Sequence, residues 1–294
     1  MSKTAILLIG FGGPERRADF EPFLRSVAQG TNIPDRRIRE VLRHYELVGP
    51  SPYNAQVFRI KEALEKRAGA PVFAGFRHSA PSIEEACERL KKERIEKTVC
   101  FVLAPFRCYA SFEKYKAKVD PSLNIVFTPP FHNHPLFIEA QAEQIGPGPV
   151  DDATFFIFSA HSIPQKMDDE SAYSLQFRET ASLAAKKAGL KHWEIAYQSR
   201  SARPRLPDGG QGNPAEPWLE PSLEKALERV DGKKFKTVCV IPAGFLVENM
   251  EILYDLDIEF RKNAEGKGFS YFRARTVADH PRFIEMMGQM PCQT

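Results

Sequence analysis

The chain has 294 residues, in which 41 Lys and Arg face 38 Asp and Glu for a net charge of +3. That length supplies one large domain or two ordinary ones with ample core, and the near-balanced charge lacks the basic stripe of a nucleic-acid binder. No apolar run approaches the ~18 residues needed to cross a bilayer, and five cysteines with no C-x-x-C pair exclude a disulfide framework or a zinc ribbon.

Met1-Ser2-Lys3 passes directly into a short strand, too brief for a secretory apolar region, which predicts a cytoplasmic protein. Ile6 to Pro14 reads as that strand, ending in the turn Gly10-Phe11-Gly12-Gly13. The turn is half of a dinucleotide fingerprint, but the third glycine and the acidic residue about twenty positions later are missing, so it is no phosphate cradle. Helical periodicity follows over Ala18–Ala28, Asn54–Ala68 and Ile83–Glu93, with Arg36-Arg37-Ile38-Arg39 as the solvated face of a helix. Pro71–Gly75, Lys97–Phe106 and Ile125–Thr128 have strand character, and Phe137–Gln144 is helical. Gly146-Pro147-Gly148-Pro149 suits neither element and marks a break.

The second half repeats the first. Phe156–Pro164 parallels Ile6–Pro14, and Lys236–Phe245 parallels Lys97–Phe106, each leading into a helix; further helices are predicted at Ser171–Ala188 and Ser222–Val230, with a strand at Glu194–Gln198. Strands alternating with helices argue for parallel sheets. The predicted fold is α/β: two similar Rossmann-like lobes, residues 1–147 and 148–294, each a parallel sheet flanked by helices, with a cleft between them.

Two features carry chemistry. The run Thr154-Phe155-Phe156-Ile157-Phe158-Ser159-Ala160-His161-Ser162-Ile163-Pro164 puts His161 at the carboxyl edge of a sheet, where open α/β folds bind ligands. An imidazole there can hold a metal or move a proton; the competing reading is a hydrogen-bonded structural histidine. From Thr237 to Phe260 there is no Lys or Arg, yet Glu248, Glu251, Asp255, Asp257 and Glu259 all fall inside. On an α-helix Glu248, Glu251, Asp255 and Glu259 share one face opposite Leu246, Leu253, Leu256 and Phe260. Like charges at this spacing repel, so either the face is an ordinary solvated one or a cation or a stream of protons supplies the missing positive charge. Glu251 should lie in the first turns after the strand Thr237–Ile241.

These residues together resemble the ferrochelatase family. The resemblance rests on Phe158-Ser159-Ala160-His161-Ser162-Ile163-Pro164, Tyr197-Gln198-Ser199-Arg200, Trp218-Leu219-Glu220-Pro221, and Gly244-Phe245 before Glu251-Ile252-Leu253-Tyr254-Asp255-Leu256-Asp257-Ile258-Glu259. In the first half it rests on Leu7 to Pro14, His44 to Pro52, Gly75-Phe76-Arg77 and Pro81 to Ala86. It implies a lyase inserting Fe(II) into a porphyrin, protoporphyrin or coproporphyrin, at the end of haem synthesis. By motif position His161 is the family's site histidine and Glu251 the glutamate facing it across the porphyrin, both catalytic and metal-binding, with Asp255 and Glu259 continuing the metal path. Arg77, Gly12 and Tyr197 would contact the porphyrin, and Arg36, Arg37 and Arg107 are further candidates for its propionates. Porphyrin and ferrous iron are the implied partners, the iron as substrate with no cofactor required, and peripheral membrane contact stays open. Some family members carry an iron–sulfur cluster, but Cys87, Cys100, Cys108, Cys239 and Cys292 lack its close grouping.

The chain departs from the family pattern in four places. Glu248-Asn249 stands where Asp-His is usual, His78-Ser79-Ala80 follows Arg77 in place of an aromatic and a histidine, and Phe106-Arg107-Cys108-Tyr109 replaces a Tyr/Ser-rich turn. The 201–217 segment, rich in Pro and Gly, is several times longer than the family's spacing and reads as a passive excursion rather than a lid. Asn249 and the altered turns motivate the alternative reading, a non-catalytic porphyrin or haem binder that kept the fold.

Overall fold

Each half of the chain folds around one sheet whose inner strands are buried apolar runs. The computed structural model describes residues 3–30, 33–146, 151–199 and 217–290; the predicted break at 147–149 and nearly all of the 201–217 segment lie outside these. Strands β1 (Thr4–Gly10), β2 (Val72–Phe76), β3 (Lys97–Val102) and β4 (Ile125–Phe127) form one sheet in the order β2-β1-β3-β4. Strands β5 (Thr154–His161), β6 (Trp193–Gln198), β7 (Thr237–Ile241) and β8 (Ser270–Arg273) form the other in the order β6-β5-β7-β8. Every pairing within them is parallel, so the predicted α/β architecture of two like, Rossmann-like sheets is what the chain adopts.

Parallel strands covered on both faces need continuous apolar runs rather than alternation. Ala5 to Ile9 are all no more than 2% exposed. Ile6 and Leu8 enter one core while Ala5, Leu7 and Ile9 enter another on the opposite face. The first of these cores also takes Phe156, Phe158 and Ala160 from β5, so one apolar layer is common to both sheets. At ~25 cal/mol per Å² of apolar area, each buried Phe or Leu of that layer contributes about 1.5–3 kcal/mol. The C-terminal helix Pro281–Gln289, which like β8 goes beyond the elements predicted, returns to pack on α3 (Tyr53–Ala68) and on the helix Pro135–Gln144; α3 is preceded by α1 (Phe20–Ala28) and α2 (Asp35–Val48).

In both sheets the chain steps first to one side of the central strand and then to the other. The carboxyl ends of β1 and β3, and those of β5 and β7, therefore flank topological switch points, where such sheets leave a crevice. Over this region α1 and α2 pack as a roof, with Phe20, Phe23, Leu24, Ile38 and Tyr45 gathered around Met250. The roof is pinned by the ring of His44, stacked on Tyr254 at 3.6 Å and 8°, and by a 3.0 Å hydrogen bond between Ser26 Oγ and His78 Nδ1.

Candidate active site

The switch points enclose a cavity of about 320 Å³, at the lower end of the ~300–1,000 Å³ of small-molecule sites. Phe11 and Gly12 reach it from β1, Leu103 to Phe106 from β3, His161 and Ile163 from β5, Gly244 to Val247 and Glu251 from beyond β7, and Phe23 and Tyr45 from the roof. Two glycines allow the close approach. Gly12 has φ +90°, and a Cβ on it would collide with Ser79 and come within 2.9 Å of Phe76 Cβ; a Cβ on Gly244 would stand 2.7 Å from Ala160 Cα. Both turns can thus lie flat against neighbouring backbone.

His161 closes β5 and Glu251 opens the helix after β7. Their side chains meet, His161 Nδ1 to Glu251 Oε2 at 3.1 Å. The facing arrangement expected across a porphyrin-wide gap is therefore not what the structure shows: the two are neighbours on one wall. Strands β5 and β7 are paired directly, and the turn after β7 comes back onto the end of β5, where Gly244 N donates to the Ser159 carbonyl at 3.0 Å, so the helix that follows starts within reach of His161. Burial works against a charged imidazole, but the carboxylates of Glu251 and Asp255 outweigh it and raise the His161 pKa. The backbone carbonyl of His161 is fixed by the Tyr173 hydroxyl at 3.1 Å.

The acidic helix is a π-helix over Glu251–Phe260, not the α-helix assumed from sequence. Its wider i→i+5 turns still keep Glu251, Asp255 and Glu259 close to one line, because positions four apart fall just short of a full turn. Burial, then the charge of Glu251, raises Asp255 to about 7, against the opposing pull of a Ser199 hydroxyl bond and of His161. Glu259 is raised by burial and then by Glu224. Glu248 does not belong to the file. It pairs with Arg273 at 3.0 Å and accepts from Thr276 Oγ1 at 3.1 Å, and the same guanidinium holds Asp257 at 2.7 Å. The missing cation comes from β8, beyond the stretch in which Lys and Arg are absent. Among the described residues no three His, Cys, Asp or Glu side chains converge on one ion, so His161, Glu251, Asp255 and Glu259 form a file rather than one coordination sphere.

Gly12 and Arg77 line the cavity as expected; Tyr197 does not. Its ring is 3% exposed and packs edge-on against Phe177 at 5.5 Å. The next residue, also outside the cavity lining, is the one that reaches the start of the carboxylate file. Gln198 stands opposite His161 in the β5–β6 register, and its Nε2 donates to the Glu251 carbonyl at 3.3 Å. Strand alternation puts successive side chains on opposite faces, so the register with His161 was the signal that picks Gln198 over Tyr197. Asn249 also escaped the sequence reading as a structural part: its Oδ1 accepts from Ile252 N at 3.0 Å and caps the π-helix. Arg37 pairs with Glu40 at 2.7 Å, and Arg107 donates to the Thr128 carbonyl while stacking on Phe112 at 4.1 Å. Cys108 lines the cavity wall, whereas Cys87, Cys100 and Cys239 are core residues.

Solved structures sharing this architecture include SirB from Bacillus subtilis, determined with Fe3+, which matches with a TM-score of 0.60 over 99% of this chain and 95% of its own at 13% identity. DR2241 from Deinococcus radiodurans, described as structurally similar to chelatases, matches with 0.56 over 99% of this chain and 54% of its own at 12% identity. The fold is that of a chelatase. Within that class the ferrochelatase family model matches residues 3–294, and this chain belongs to the ferrochelatase family. Its relatives include the ferrochelatase of Rhodopirellula baltica, 34% identical over 96% of this chain and 84% of that protein. The coproporphyrin III ferrochelatase of Mycobacterium tuberculosis is 32% identical over 97% of this chain and 84% of that protein. The family consists of lyases that insert iron into a porphyrin in haem biosynthesis.

Proposed function

We propose that this chain inserts Fe(II) into a porphyrin, with His161 as the base for the pyrrole protons and Glu259, Asp255 and Glu251 as the path by which the ion arrives. The observation that supports this most directly is the imidazole–carboxylate pair on the wall of a cavity built from both sheets. A free porphyrin carries two N–H protons that must leave as the divalent ion enters. Burial and mutual repulsion hold a proton at Asp255 near neutrality, so an arriving cation displaces that proton rather than finding a fully charged, tightly gripping carboxylate. Once the cation reaches Glu251, the charge that raises the His161 pKa is neutralised. The imidazole, whose side chain is 33% exposed, then releases its proton to water and is free to take one from a pyrrole, and it takes the second in the same way once the first has passed to water.

A flat ring can pass between His161 and Glu251 only by opening their hydrogen bond. That bond is worth about 1.5–3 kcal/mol, small beside the order of 10 kcal/mol available from burying the faces of a tetrapyrrole. Arg77 and the flat turn at Gly12 would hold the ring. The reading places the protein in the cytoplasm, with porphyrin and Fe(II) as substrates, no further cofactor, and two lobes dividing near residue 147. Among the described residues no helix is long and apolar enough to cross a membrane.

The experiment is anaerobic incubation of the purified protein with Fe(II) or Zn(II) and either protoporphyrin IX or coproporphyrin III, followed by absorption. Metalloporphyrin bands growing with time are expected. A shifted porphyrin band with no metalloporphyrin would make the protein a binder instead.

A further inference from the structure

Among the described residues that line the cavity, Arg77 is the one Lys or Arg. It also lines a second, open hollow of about 960 Å³ on the outer face of the first sheet, together with Tyr109, Lys114 and Lys118. Arg77 is thus common to both spaces. The short π-turn Tyr109–Glu113 and the helix Lys114–Lys116 form the partition: Ala110, Ser111 and Tyr115 face the cavity, while Tyr109, Glu113 and Lys114 face the hollow.

The charges on this partition are not balanced. Glu84 is paired with Lys118 at 2.9 Å, Glu88 with Lys91 at 3.0 Å, and Asp120 with Lys91 at 2.5 Å, while Glu113 bears on Arg107. Arg77 and Lys114 have no carboxylate partner among the described residues; Arg77 lies 5.7 Å over the Tyr115 ring and Lys114 5.7 Å over the Tyr109 ring. A half-buried guanidinium without a counter-ion has been desolvated for nothing unless a ligand supplies the anion. The field of these cations is felt at His78, whose pKa is pushed down to about 4 by burial first and then by Arg77, Lys118 and Lys114.

We propose that the carboxylate-bearing edge of the porphyrin leaves the cavity past Arg77 and is met outside by Lys114, the two forming one carboxylate subsite across the partition. This rests on the porphyrin reading given above. The part of the lining that comes from the second sheet carries Glu251 with Asp255 behind it, so it repels peripheral carboxylates and turns the ring's charged edge toward Arg77. One guanidinium grips one carboxylate with two parallel hydrogen bonds. A second carboxylate of the same ring needs a second cation, and Lys114 is the one left unpaired beside it.

The test is titration of wild type, Lys114→Ala and Lys114→Glu with coproporphyrin III and with its uncharged tetramethyl ester, read by porphyrin fluorescence. Lys114→Glu is expected to weaken the acid about tenfold and Lys114→Ala about threefold, with the loss shrinking in salt. Unchanged ester binding shows that both variants are folded. Equal affinity of wild type and Lys114→Glu for the acid overturns the subsite and leaves the porphyrin reading standing. Wild type that binds neither acid nor ester overturns both.

Discussion

The imidazole of His161 and the carboxylate of Glu251, 3.1 Å apart, tie the end of β5 to the first turn of the π-helix that follows β7. Each holds the other in orientation, so their loss should separate into two phenotypes. His161→Ala removes the base and should abolish metal insertion while porphyrin affinity stays within about twofold, since binding comes from the apolar walls. Glu251→Gln keeps the shape and loses the charge; insertion should fall by about a hundredfold or more. Stopped-flow formation of Zn-porphyrin, with porphyrin binding measured separately, checks both, and turnover retained by His161→Ala removes it from the mechanism.

Asp255 gives a pH prediction of definite sign. Its folded pKa of about 7 lies above the ordinary carboxyl value because of burial and the nearby Glu251 charge, so the native state binds the proton more tightly than the unfolded chain. Its contribution to stability is full below the unfolded value of ~3.9 and is lost as pH rises toward about 7. Asp255→Asn should remove that loss and gain on wild type, by an amount on the order of 1–3 kcal/mol, between about pH 5 and about pH 8. Urea midpoints measured across that range decide it; parallel curves for the two proteins would show that Asp255 ionises normally.

Arg273 is the structural counterpart of the reactive file. Its side chain is 13% exposed and bridges Glu248 and Asp257, themselves 15% and 26% exposed, which fixes the loop before the π-helix to the helix itself. Arg273→Met leaves two half-buried carboxylates without a partner and should cost about 3–5 kcal/mol. Adding Glu248→Gln and Asp257→Asn should restore much of that loss, because the penalty belongs to the stranded charges. Chemical denaturation of the single and triple variants measures both steps.

The repeat and the strand-end histidine were legible because they are written locally. An apolar run that stops at small and turn-forming residues, as in Phe155–Pro164, states both a strand and its edge. The π-helix was not legible, since Ile252, Leu256 and Phe260 stand four apart and bury under either helical geometry. Glu248 was misplaced for a different reason: its partner Arg273 lies 25 residues further on, and only the pairing of β7 with β8 brings the two together. Tyr197 is marked by the motif Tyr197-Gln198-Ser199-Arg200 as a whole, which does not say which of its side chains turns inward; the register opposite His161 puts Gln198, not Tyr197, beside the Glu251 carbonyl.

Gln198 makes that last point testable. It is buried, its backbone carbonyl accepts from Ser162 N at 2.8 Å, and its side-chain amide donates to the Glu251 carbonyl at 3.3 Å. The neighbouring Ser199 hydroxyl donates to Asp255, so the end of β6 holds two successive members of the carboxylate file. Gln198→Met fills the same volume without the donor and frees the Glu251 peptide at the helix start. Losing one neutral hydrogen bond of about 1 kcal/mol predicts a roughly fivefold fall in kcat/KM for the metal. Gln198→Glu, which sets a carboxylate against the carbonyl and the file, should cost more than tenfold and steepen the pH profile. Porphyrin affinity should not move in either variant, because Gln198 does not line the cavity. If Gln198→Met instead keeps the wild-type KM for iron and loses porphyrin affinity, the end of β6 holds the ring rather than the metal path.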